Sequence, residues 1–277
     1  MAVAEAQSDA TACGGPGVPW FRRYTRWRQT SRAEAVAAER ELLSLCSTGF
    51  QTSDVPVAPK EFMHTLASPS PGSSPSRPSA AQLADAPLVC LPGYSAGSGF
   101  AFRVLDGLAQ AFSVFAVDPL GTGLSSRPCF RARSTAQAEA FFLDSLERWR
   151  AELGLERMVL MGHSLGGYLA ACYALRHPDR VQHLVLVCPA GIPERPADWE
   201  LPATMRSGAA GLLARGAGRA WDWGLTPGSI IRGLGPWGPK LISRYARRRF
   251  QQGLPLEERE VAPLERYMYH ILAGRGS

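Results

Sequence analysis

The residues with the clearest chemical potential are Gly162-His163-Ser164-Leu165-Gly166. They follow the apolar run Arg157-Met158-Val159-Leu160-Met161 and precede a stretch of helical spacing, with Gly167 extending the glycine flank. A serine on a tight strand-to-helix turn takes a strained backbone, and small neighbours let the chain pass without clashes. Its Oγ is then presented at the sheet edge, near the positive end of the helix dipole. Such a hydroxyl can attack an acyl carbon, provided preorganised N–H groups meet the oxyanion that develops. The amide of Leu165 is one candidate donor. The other is expected from the loop after Pro87-Leu88-Val89-Cys90-Leu91, where Tyr94 follows Pro92-Gly93. Asp118, before Pro119-Leu120-Gly121-Thr122-Gly123, is expected to fix its turn by accepting backbone N–H bonds rather than to act in catalysis.

The elements that must hold these residues alternate. Strands are predicted at residues 87–91, 113–118, 157–162 and 183–188, and helices at about 100–111, 135–153 and 164–176. Short apolar strands alternating with helices imply an α/β fold, its parallel strands buried on both faces and right-handed crossovers placing helices on both sides. After Pro189 the rhythm ends. Residues 193–277 are rich in Gly, Pro and Arg, with helical patches near 241–250 and 257–273, and read as a helical cap over the carboxyl ends of the strands.

Upstream, residues 1–30 hold a small, polar tail and a segment in which Trp20, Phe21, Tyr24 and Trp27 alternate with four arginines. This is either a helix anchored by its tryptophans or a membrane-docking segment led by Trp20 and Trp27, with aromatic rings at headgroup level. Ser31 and Glu34 form a capping box opening a helix to about Cys46. That helix and its lead-in occupy residues 31–66. A Pro/Ser-rich loop at 67–80 separates them from a core at 81–192.

Composition narrows the class. The chain has 277 residues, 45% of them hydrophobic and 19% charged, enough for a sizeable core. No run of about eighteen apolar residues predicts a membrane span. The net charge of +6 is almost wholly arginine, since only Lys60 and Lys240 are lysine, and it favours anionic lipid or phosphate ligands. No nucleic-acid motif accompanies it. No P-loop, dinucleotide fingerprint or metal cluster occurs, so neither a cofactor nor a metal is expected. The six cysteines lack metal-ligand spacing, and several sit in apolar runs that suit reduced thiols.

Residues 87–192 resemble the α/β-hydrolase superfamily. The segments GYSAGSGFAFR (93–103), DPLGTGLSSRP (118–128) and GHSLGGYLAACYALRHPDRVQHLVLVCPAGIPERP (162–196) are similar to a lipid-metabolising group within it. That group contains α/β-hydrolase domain proteins four and five, plant relatives and yeast cardiolipin deacylase. The Trp/Arg stretch, ERELLSL (39–45) and ERYMYH (265–270) fit it too. The resemblance implies lysophospholipase, phospholipase or lysophosphatidic acid acyltransferase activity. It places the chain in the cytoplasm, peripheral at a membrane or lipid droplet.

The resemblance also implies an acid and a histidine following the serine, the latter in a His-x-x-x-x-Asp motif. No histidine here has aspartate five positions later. His177, His183 and His270 each read as structural, and the last strands of the fold are not evident, so the chain reads as truncated and nearly inactive as it stands. Two functions are carried forward. The first is a serine-dependent hydrolase or acyltransferase of (lyso)phospholipids. The second is a non-catalytic regulator at a lipid surface, partnering a lipase. An epoxide hydrolase shares the scaffold but needs aspartate where Ser164 stands.

Overall fold

The computed structural model describes residues 30–69, 86–191, 227–235, 237–250 and 256–274. Trp20, Trp27 and most of the Pro/Ser-rich loop lie outside them. Six strands form one mixed sheet: β1 (Gln51–Ala58), β2 (Glu61–Ala67), β3 (Leu88–Leu91), β4 (Val114–Val117), β5 (Met158–His163) and β6 (Val181–Val187), in the order β1-β2-β4-β3-β5-β6. The last four are mutually parallel, as the alternation of elements predicts; β1 and β2 form an antiparallel hairpin added to β4.

The helices are α1 (Arg32–Leu43), α2 (Phe102–Ala109), α3 (Thr135–Glu152), α4 (Leu165–Arg176), α5 (Pro227–Gly233), α6 (Trp237–Phe250) and α7 (Glu258–Ala273). Ser31 caps α1 by accepting from the Glu34 amide at 3.1 Å. Side chains along β3, β4 and β5 alternate between two cores. Leu88 and Cys90 of β3 join Leu42, Leu105 and Leu264 from α1, α2 and α7 on one face. Val89 and Leu91 join Leu146, Trp149, Leu169 and Tyr173 from α3 and α4 on the other. The chain runs from β3 to β4 through α2, then reverses to β5 through α3. Right-handed crossovers in opposite directions require opposite faces for those two helices, and the cores show it.

Four expectations change. The stretch set aside as lead-in holds β1 and β2, which join the sheet through β2 and β4. Helix α7, expected in a cap over the strand ends, contributes Leu264, Tyr267 and Ile271 to the core beside α1. Strand β6 is not buried on both faces. Its Leu184, Val185, Leu186 and Val187 are 38–40% exposed, because among the described strands it has only β5 beside it. Finally, Cys46, Cys90, Cys172 and Cys188 are free thiols, but Cys129 is disulfide-bonded.

Candidate active site

The reversal of direction between β4 and β5 leaves the carboxyl ends of β3 and β5 side by side, with Leu91 opposite Gly162. In open α/β sheets this crevice is where ligands bind. Two turns leave it: Pro92-Gly93-Tyr94 after β3 and Ser164 after β5.

Ser164 has φ 53° and ψ −116°, a conformation that L residues rarely adopt. The bend is over-determined by its neighbours. A Cβ on Gly162 would lie 2.2 Å from the Gly166 carbonyl oxygen, and one on Gly166 would lie 2.4 Å from that of Leu91. Both positions therefore exclude any side chain, which lets the first turn of α4 press against β5 and the β3 loop. The backbone of Ser164 is tied on both sides. Its N–H donates to Val187 O at 3.0 Å, and its carbonyl accepts from Tyr168 N at 3.1 Å and Ala190 N at 2.9 Å. Although Ser164 occupies the N-cap of α4, its side chain caps nothing, so the hydroxyl is not spent on the helix.

The β3 loop reaches the same point. A Cβ on Gly93 would sit 3.2 Å from Ser164 Cβ and 3.1 Å from His163 Nδ1. Tyr94, next in the chain, is 45% exposed, and Leu165 is half-buried at the start of α4. The structure thus brings together Ser164, Leu165, Gly162, Gly166 and the Gly93-Tyr94 turn, all expected from sequence.

The continuation of that loop is clamped from two directions. Asp118, fully buried, accepts from Ser98 N at 2.7 Å, Ser98 Oγ at 2.8 Å and Leu124 N at 2.8 Å, the structural role expected of it. The Gly99 amide donates to the buried Tyr267 hydroxyl of α7 at 3.1 Å. Sequence reasoning did not find Tyr267. The two partners are 168 residues apart, and nothing in either local pattern announces the bond.

None of the five histidines forms a hydrogen bond with the Ser164 hydroxyl among the described residues. His163 is exposed beside it, His177 stacks on Tyr173 at the end of α4 with ring centroids 4.8 Å apart, and His183 is exposed on β6. His270 is buried in α7 against Tyr269. His64 of β2 is held between two acids, and sequence reasoning passed over it. Its Nε2 lies 2.7 Å from Glu39 and its Nδ1 2.8 Å from Asp54, which also pairs with Arg32. Burial alone lowers the pKa of His64. The hydrogen bonds to Asp54 and Glu39 outweigh that and raise it to about 10, so the ring is an imidazolium. Burial likewise pushes up the carboxyl of Glu39, whereas the bonds from His64 and Arg32 overcome burial and pull Asp54 down. From β2 to β5 is three strand spacings, roughly 14 Å, which puts this cluster out of hydrogen-bond reach of Ser164.

Residues 86–221 match the family of the alpha/beta hydrolase fold. The chain has the α/β-hydrolase fold. It is 39% identical over 288 aligned positions to a probable 1-acylglycerol-3-phosphate O-acyltransferase of Oryza sativa subsp. japonica, covering 94% of this chain and 65% of that protein. It is 41% identical to the (lyso)-N-acylphosphatidylethanolamine lipase of Bos taurus over 57% of this chain and 44% of that protein. Among solved structures, the Bacillus subtilis carboxylesterase CesB superposes with a TM-score of 0.55 at 20% identity, covering 88% of this chain and 68% of that one, a likeness of fold. The chain therefore spans just under two thirds of the length of the acyltransferase.

Proposed function

We propose that this α/β hydrolase carries the nucleophile and oxyanion half of a serine acyl-transfer site for (lyso)phospholipid esters. The observation that carries the reading is the backbone of Ser164, held at positive φ between β5 and α4 with the Gly93 turn against it. In that geometry Ser164 Oγ attacks the ester carbonyl carbon. The amides of Leu165 and Tyr94 receive the oxyanion, and the alcohol leaves to give an acyl-enzyme. Water then yields a fatty acid, or the hydroxyl of a lysophospholipid takes the acyl group. The two outcomes share a nucleophile and differ only in the acceptor. The acyltransferase and lipase among the relatives support lipid esters as the substrate class.

With no histidine bonded to Ser164 among the described residues, its hydroxyl remains protonated near neutral pH and turnover by this chain is slow. The test is release or transfer of a radiolabelled acyl chain from lysophosphatidic acid and phosphatidic acid. The expected result is slow turnover that Ser164→Ala abolishes; equal rates in both proteins would remove this reading. A second reading is a non-catalytic regulator that docks on a lipid surface and partners a lipase. That reading expects Ser164→Ala to leave stimulation of the lipase unchanged.

A further inference from the structure

Helix α6 has two stripes that should not coexist on a helix merely solvated on its outer side. Ile242 and Ala246 are buried toward the rest of the protein. About 120° further round the helix, Trp237, Leu241 and Tyr245 are exposed, at 64%, 43% and 53%. Four-residue spacing aligns these three along about 12 Å of one face. Lys240, Arg244 and Arg248 alternate with them on that face, and none has an acidic partner among the described residues. Neither α5 nor α6 contains an acidic residue.

A solvated basic face has no use for tryptophan, leucine and tyrosine between its charges, because each leaves apolar area in water that burial would recover. A nucleic-acid surface would use the charges but leave Leu241 without a partner. An anionic lipid surface uses both. Aromatic and aliphatic side chains enter the headgroup boundary while the basic groups meet phosphates, the arrangement of an interfacial amphipathic helix. No helix among the described residues is long and apolar enough to cross a membrane, so the contact is one of lying on the surface. We propose that the Trp237–Leu241–Tyr245 face of α6, flanked by Lys240, Arg244 and Arg248, docks the protein on anionic phospholipid.

This deepens the lipid-ester reading by naming the surface on which the substrate would be met, yet it is separable from it. Helix α6 packs on α7, whose Tyr267 holds the turn following the Gly93 loop. A protein docked through α6 thus has its site joined to the lipid through one intervening helix.

The experiment is flotation of the full chain with phosphatidylcholine vesicles, with or without phosphatidic acid, and separately its retention by single-stranded RNA. Four variants accompany the parent: Lys240→Ser/Arg244→Ser/Arg248→Ser, Trp237→Ser/Leu241→Ser/Tyr245→Ser, Trp20→Ala/Trp27→Ala, and Ser164→Ala. All the α6 changes are at exposed positions, so thermal unfolding should match the parent. The expected result is binding to phosphatidic acid vesicles that weakens with added salt. Removing the three charges should reduce it by about a hundredfold, roughly fivefold per basic residue. The apolar variant should lose it by at least tenfold, while Ser164→Ala binds like the parent. Undiminished binding by both α6 variants would overturn the proposal. So would complete loss in the Trp20/Trp27 variant alone, or RNA retention without vesicle binding. Loss of turnover with vesicle binding intact would strike the acyl-transfer reading and leave the docking surface standing.

Discussion

Two polar centres sit in the same sheet and are built to opposite ends. At the β2 corner, His64 is buried between Glu39 and Asp54, every partner within 2.8 Å, with Arg32 closing the cluster. At the β5 end, Ser164 is held through its backbone while its hydroxyl makes no helix-capping bond among the described residues. The first centre has a histidine and two acids; the second has a serine hydroxyl on a strained bend and, among the described residues, no histidine bonded to it. An acid–histidine pair is therefore not evidence of catalysis by itself. His64 is committed as a cation, whereas a general base must be neutral and within reach of a hydroxyl.

The contrast can be broken first at the corner. His64→Ala leaves Glu39 buried opposite a cavity, and we expect a loss of about 3–5 kcal/mol in denaturant unfolding. A loss below about 1 kcal/mol would show that the cluster is not a structural ion network. The pH dependence has a definite sign. With the folded pKa raised to about 10, the contribution of His64 is fully present below about pH 6.5 and fades as pH rises through about 10. Parent and His64→Gln stabilities should accordingly converge in alkali, measured by urea unfolding across that range.

At the elbow, Gly166→Ala places a methyl 2.4 Å from the Leu91 carbonyl oxygen, so backbone must move. We expect about 1–3 kcal/mol of destabilisation, together with loss of any reactivity at Ser164. Unchanged reactivity would mean that the close packing of α4 on the β3 loop does not define the site. Tyr267→Phe removes the acceptor of the buried Gly99 amide, for about 1–3 kcal/mol by chemical denaturation. The smallest effect is at the rim, where Ser31→Ala removes the α1 cap and should cost about 1 kcal/mol of stability.

What could be read from the chain follows the same divide. Strands β3 to β5, buried on both faces, show as unbroken apolar runs. The junction of β5 with α4 carries its serine in a context that leaves few alternatives. Strand β1 was illegible because it is an edge strand, polar along its first half and interrupted by Pro56; β2 hides the charged His64 inside an otherwise apolar face. Apolar residues in β6 announced a strand but not that it would lie exposed beside β5. The Tyr267 clamp and the His64 cluster depend on partners far apart in sequence, where no local periodicity reports them.

We propose that the bend at position 164 makes its oxygen the reactive one. Treating the folded protein with a fluorophosphonate and mapping the adduct by peptide mass spectrometry tests it most directly. We expect modification of Ser164, absent in Ser164→Ala, with a rate that climbs steadily from about pH 6 to 8 as the alkoxide fraction grows. An adduct confined to other residues, or none after prolonged exposure at alkaline pH, would contradict it.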